Sequence, residues 1–255
     1  MELRDLPANA TRVWLNIGAN VDPLRPPDDK SVIVIAFEPV VHTLIPPAAR
    51  RFVVPAAVSN ETGLTTMISY NDGLSASLGV PSKQRPWNDG SQGSMPLQTL
   101  VVPVVTMEGV LVAIRSSLAI WYLKSDVQGY DATILRAAGP ALSRIQYIQS
   151  EVWLQGAYSY SGANNDYCLD VLPLMRSRGF EPTALSAAGG SEQYLALYSN
   201  RSLADVKHNR CARTARAWNF GAHPDALPTA GFCVLRPPQV FLYGRRRFGA
   251  GVLRL

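Results

Sequence analysis

Residues Ser31-Val-Ile-Val-Ile-Ala-Phe-Glu38 form an unbroken apolar, largely β-branched run one strand long. A strand with no polar face has to be buried on both sides, the condition of a central strand in a parallel sheet. Two similar runs flank it. Arg12-Val-Trp-Leu-Asn-Ile-Gly18 ends in a glycine, and Arg51-Phe-Val-Val-Pro-Ala-Ala-Val-Ser59 is interrupted by Pro55, which predicts an irregular stretch. Parallel neighbours cannot be joined by tight turns. Yet the first connection, Asn20 to Lys30, carries Pro23, Pro26 and Pro27 and cannot be a full helix.

Beyond residue 60 the pattern changes. Thr65 to Tyr70 and Ser75 to Leu78 flank Asn71-Asp-Gly73, a hairpin signal, and Leu100 to Val105 returns as a strand. Region 60–105 therefore reads as a β-hairpin insertion or lid over the sheet. Thr106 can cap a helix from Met107 to about Arg115, with Glu108 in its first turn. A strand from Ala119 to Asp126, a helix from Gly129 to Ala138, and a strand from Ile145 to Val152 follow. The next helix, Asn165 to Arg178, has Pro173 inside it and a kink expected there; Tyr194 to Tyr198 is the last clear strand. This order predicts an α/β fold with an open, mainly parallel, Rossmann-like sheet.

Composition narrows the class. Apolar residues make up 47% of the 255, enough for a core and against a disordered chain. No apolar stretch approaches the roughly 20 residues of a membrane span, and the opening residues lack a signal-peptide core. A cytoplasmic setting is the default expectation. Residues 1–200 are expected to form the domain. Residues 201–255, with ten Lys/Arg and two acids, form a basic, partly disordered extension around Arg245, Arg246 and Arg247. Without aromatic interleaving or zinc-finger spacing, nucleic acid is disfavoured as a partner. Cys168, Cys211 and Cys233 are too few and too widely spaced for a zinc site or a disulfide framework; they read as three buried thiols in a reducing compartment, against one long-range bridge with a spare thiol in an oxidising one. His42, His208 and His223 form no metal pair, and His42 reads as a packing or rim residue.

In open α/β sheets ligands bind beyond the C-terminal ends of the strands. Three such ends carry suitable residues: Asn16-Ile-Gly-Ala-Asn20, Phe37-Glu-Pro39 and Lys124-Ser-Asp126. Gly18 lets a ligand approach the backbone, and Asn20 tolerates turn conformations. Glu38, about twenty residues after the glycine, stands where a ribose can be held through both hydroxyls. Read singly, Gly18 is a turn glycine, Glu38 a surface acid and Asp126 a helix cap. A nicotinamide cofactor is disfavoured, because its pyrophosphate needs G-x-G-x-x-G and no third glycine follows Gly18. A phosphate-free cofactor such as S-adenosylmethionine needs no such cradle.

At these residues the sequence resembles the FkbM-type branch of S-adenosylmethionine-dependent methyltransferases. Asn16-Ile-Gly-Ala-Asn-Val-Asp22 corresponds to the first motif, with Asn16 in place of the usual acid and Asp22 in place of the closing glycine. Ala36-Phe-Glu-Pro39, Ala57-Val-Ser59 and Lys124-Ser-Asp-Val-Gln-Gly-Tyr-Asp131 match the next three, with Gln128 where many members carry glutamate. Glu151-Val152 and Arg178-Gly-Phe180 also recur, and the likeness covers about residues 12–200. The resemblance implies that Asn16, Gly18 and Asn20 shape the cofactor loop, Glu38 and Pro39 hold the ribose, and Ala57 and Val58 lie near the adenine. Asp126 would face the methyl-transfer centre as base or acceptor-orienting group, tuned by Lys124 or Glu151 where the side chains converge.

The leading reading is O-methylation of a hydroxyl on a sugar, glycan or small metabolite. A second is a catalytically inactive methyltransferase-like domain that binds a partner through region 60–105 or the tail. Tyr158, Tyr160 and Asn164-Asn165-Asp166 are candidates for the acceptor pocket, against a bland alternative in which Asn165 or Asp166 caps the next helix.

Overall fold

The computed structural model describes residues 6–40, 44–46, 48–70, 76–81, 96–153, 160–161, 165–187, 193–202 and 252–253. In chain order the elements are β1 (Arg12–Ile17), β2 (Val32–Phe37), β3 (Arg51–Val54), β4 (Ala57–Ser59), β5 (Gly63–Tyr70), β6 (Val80–Pro81) and β7 (Pro96–Thr106). Then come α1 (Met107–Ala113), β8 (Ala119–Ser125), α2 (Asp131–Ala137), a 3-10 turn (Gly139–Arg144), β9 (Ile145–Trp153) and β10 (Tyr160–Ser161). A π-type turn (Tyr167–Val171) leads into α3 (Leu172–Ser177), followed by β11 (Phe180–Ala187), β12 (Gln193–Asn200) and β13 (Val252–Leu253).

The main sheet runs β13-β11-β12-β9-β8-β1-β2-β3. The five strands from β9 to β3 are parallel, while β12, β11 and β13 pair antiparallel at the other edge. The chain leaves β1 toward β2 in one direction and resumes with β8 on its other side. The switch point therefore lies between β1 and β8. The expected α/β architecture is present, and β2 is buried along its whole length, as its sequence demands.

One face of this sheet carries the main core. Val13, Leu15, Ile17, Ile33, Ile35 and Phe37 pack with Met107 and Leu111 of α1, Ile134 and Leu135 of α2, and Met175 of α3. On the other face Trp14, Val32, Val34 and Tyr122 form a smaller cluster, with the Trp14 and Tyr122 rings edge-on at 6.1 Å. The connection from β1 to β2 crosses without a helix, as its prolines predict. Its backbone groups find partners in side chains instead. The Arg50 guanidinium donates to the carbonyls of Pro27, Asp29 and Val32 at 2.7, 2.6 and 2.8 Å. Asn16 Oδ1 accepts from Leu24 N at 2.7 Å.

Several expectations are refined. The 51–59 run breaks at Pro55 into β3 of the main sheet and β4 of a second sheet, ordered β4-β7-β5. The expected hairpin is therefore mainly β5 against β7, and Ser77 contributes only a single bridge to Ile68; the Asn71–Gly73 turn lies outside the described residues. β11 is a strand that sequence patterning missed, because Pro182 interrupts it; the pairing register slips between Pro182 and Ala184, where a missing N–H is tolerated. Helical structure after Asn165 starts as the π-type turn and tightens to α at Leu172, next to Pro173, where the kink was expected. Cys168 is disulfide-bonded, which corrects the reading of three buried thiols in favour of the bridged alternative. Of the extension, Val252–Leu253 pairs with β11. Its basic cluster lies outside the described residues, as do His42, His208 and His223. Among the described residues, no helix is long and apolar enough to cross a membrane.

Candidate functional site

The ends of β1, β2 and β8 meet at one point, and Gly18 is why they can. Its φ is +71°, and a Cβ there would overlap the carbonyl oxygen of Asp126 and lie 2.9 Å from its carbonyl carbon. Bare backbone lets β1 and the segment after β8 touch, with Asp126 N donating to Ile17 O at 3.1 Å. Asn20 follows at φ +47°, a left-handed conformation asparagine accepts.

That turn presents the Asn20 amide to Glu38. Asn20 N donates to Glu38 Oε2 at 2.8 Å, and Val40 N donates to Oε1 at 2.8 Å. The carboxylate is 7% exposed and fixed at both oxygens by main chain. Each oxygen keeps lone-pair capacity for one further donor.

Asp126 stands across from this loop. Lys124 Nζ lies 3.3 Å from its Oδ2, and Gln128 Nε2 donates to Oδ1 at 3.2 Å. Gln128 and Gly129 have φ of +54° and +95°, turning the chain sharply into α2. The sequence alternative in which Asp126 caps that helix is not realised: the cap position is Tyr130 and makes no side-chain cap bond.

These groups line a single cleft of about 550 Å³, counting space open to solvent. Gly18, Asn20, Glu38, Pro39 and Asp126 form one part of it, and Ala56, Ala57 and Val58 another. Met67 comes from β5, which shares the second sheet with the β4 residues Ala57 and Val58, and Ala76 and Leu78 flank the Ser77 bridge to β5. Of the sequence candidates, Gly18, Asn20, Glu38, Pro39, Ala57, Val58 and Asp126 are thus brought together. Asn16, Lys124 and Glu151 are not in the lining. Asn16 is buried and secures Leu24; Lys124 reaches the site only through Asp126; Glu151 is buried on β9.

Behind Asp126 lies a polar group that sequence reasoning did not single out as functional. Asp131 is fully buried at the start of α2 and accepts from Ser125 Oγ at 2.6 Å. Burial, reinforced by the nearby Asp126 charge, pushes its carboxyl up to about 7. Asn165, also fully buried, accepts from Ala132 N at 2.9 Å and donates to Glu151 O at 2.8 Å. It ties the end of β9 to α2. Asp166 accepts from the Cys168 and Leu169 amides at 2.9 Å, so it caps the turn after it, as the bland alternative expected. Neither residue lines the cleft. Tyr158 and Asn164 lie outside the described residues, as does the Tyr160 side chain.

A family model described as the methyltransferase FkbM domain matches residues 16–182, well over half of the chain. No curated protein sequence matches. Among solved structures, that of a magnesium protoporphyrin IX methyltransferase from Synechocystis PCC 6803 with bound SAM aligns at 10% identity and a TM-score of 0.33. The alignment covers 76% of this chain and 72% of that one. A likeness this distant has no bearing on the site.

Proposed function

The chain belongs to the FkbM methyltransferase family and is an S-adenosylmethionine-dependent methyltransferase; from that premise we propose that it methylates a hydroxyl oxygen of a sugar, glycan or small metabolite, with Asp126 taking the proton. The observation that carries the cofactor side of this reading is Glu38. A ribose offers two neighbouring hydroxyl donors, and a carboxylate already fixed by two amides has one acceptor position per oxygen left for them. Gly18 and Asn20 would shape the loop beside the cofactor, and Pro39, Ala57 and Val58 would wall the adenosine. When bound, S-adenosylmethionine supplies an electrophilic methyl group on a sulfonium sulfur.

The task left to the chain is alignment and proton removal. Asp126 lines the cleft, with Lys124 on one oxygen and Gln128 on the other fixing its orientation. An acceptor hydroxyl loses its proton as it attacks, and Asp126 accepts it at a carboxylate oxygen before passing it to solvent. Of the two candidates for tuning this carboxylate, Lys124 on β8 is the one that reaches it.

The test is product analysis with isotope-labelled methyl donor against methyl glycosides, hydroxy metabolites and matched amines. A methyl ether formed by the wild type, and lost in Asp126→Asn with cofactor binding retained, is the expected result. Transfer only to nitrogen, or full turnover by Asp126→Asn, would overturn the assignment.

A further inference from the structure

The second sheet is separate from the main one, yet it reaches into the cofactor cleft through Ala57 and Val58 of β4 and Met67 of β5, and Ala76 and Leu78 join them from the strap 76–78 bridged to β5. Between Ala76 and Leu78 stands Ser77. This residue is fully buried between two cleft-lining neighbours. On one side its backbone exchanges two hydrogen bonds with Ile68 of β5, both 3.0 Å. On the other its hydroxyl donates to the carbonyl of Gln128, 51 residues away, at 2.9 Å, and accepts from Gly79 N at 3.0 Å.

The carbonyl it holds belongs to the left-handed turn that carries the site. A glutamine at φ +54° occupies a sparsely populated conformation that persists where neighbours over-determine it. The side chain of the same Gln128 donates to Asp126. A continuous chain of contacts therefore runs from the strap 76–78 through Ser77 and Gln128 to Asp126 and Lys124. It links the apolar wall of the cleft to its polar end.

We propose that Ser77 is a positioning residue of the cofactor site. Its hydroxyl clamps the strap 76–78 onto the 126–130 turn, so that Ala76, Leu78 and Met67 form a fixed apolar wall for the adenine base. The proposal rests on the methyltransferase reading and assigns that wall its ligand. A thioether and two small aliphatic side chains suit a flat, largely apolar ring. Without the hydroxyl, the part-buried Gln128 carbonyl loses this hydrogen bond and the turn one of its supports.

The test uses the intact chain and two probes, adenosine and S-adenosylmethionine. Ser77→Ala is expected to weaken both by about tenfold, about 1.4 kcal/mol, because the wall meets only the part the probes share. Ser77→Cys, similar in size and a weaker donor, should fall between. Hydrogen exchange of the unliganded variant should quicken at the amides of 126–130 while the main-sheet strands keep their protection. That readout is independent of catalysis.

Unchanged affinity for both probes in a folded Ser77→Ala would overturn the proposal alone. So would a loss that tracks faster exchange across the whole main sheet, since that marks general destabilisation. Wild-type protein that binds neither probe would instead overturn the cofactor reading beneath it.

Discussion

The two sides of the cleft are built by opposite means. The polar side uses the ends of β1, β2 and β8, adjacent parallel strands whose register leaves little freedom: Asn16 pairs with Ala36 on one side and Lys124 on the other. Gly18, Glu38 and Asp126 are brought together by that register and by short main-chain contacts. The apolar side from the second sheet is fastened to the β8–α2 turn through the Ser77 hydroxyl. A site can thus pair a stiff, locally encoded surface with one placed from far away in the chain. The two should fail differently.

Breaking the polar side has the largest effect. Gly18→Ala puts a methyl group into the Asp126 carbonyl and forces alanine to a positive φ. A loss of about 2–4 kcal/mol in stability and abolition of cofactor binding are expected, read by thermal melting and calorimetry. Wild-type affinity in that variant would contradict the close approach of β1 and β8. Asp126→Asn keeps the shape and removes the proposed proton acceptor, so turnover should drop about 10²–10⁴-fold with cofactor affinity nearly kept.

Breaking the apolar side is milder. Met67→Ala removes part of the wall and should weaken adenosine several-fold, while Asp126-dependent chemistry at saturating cofactor stays close to wild type. A variant that lost turnover at saturation while keeping affinity would erase the distinction between the two sides.

The smallest effect is a pH slope. Asp131 has its carboxyl raised by burial from an ordinary 3.8 to about 7. Between those values the folded protein keeps a proton that the unfolded chain releases, so this group's contribution to stability declines as pH rises through that window and levels off above about 7. Asp131→Asn should flatten that part of the profile in melts from about pH 4 to about pH 8. An unchanged slope would show that Asp131 is not its source.

The contrast also explains what the sequence made legible. β2 read as a buried strand because a parallel interior leaves an uninterrupted apolar run, β1 nearly so, and Gly18, Glu38 and Asp126 read as a site because strand ends in such sheets carry ligands. Asn16 drew attention through its motif position, but in the fold it secures Leu24 of the proline-rich crossover. The acceptor candidates Asn165 and Asp166 proved to be a buried tie and a cap, roles that local composition does not separate from a binding loop. β11 escaped notice because Pro182 and its register slip break the pattern of a strand. Met67, Ala76, Leu78 and the Ser77 bond were not readable at all, since a contact across 51 residues has no periodicity to announce it.

The measurement that bears most directly on the central claim is calorimetric titration of the whole chain with S-adenosylmethionine, beside Glu38→Ala. The account expects micromolar binding by the wild type. A loss of about a hundredfold is expected in the variant, which removes the two charge-assisted hydrogen bonds proposed to the ribose and the carboxylate that accepts from the Asn20 and Val40 amides. Equal affinity in the two proteins, or a folded wild type that does not bind, would contradict it.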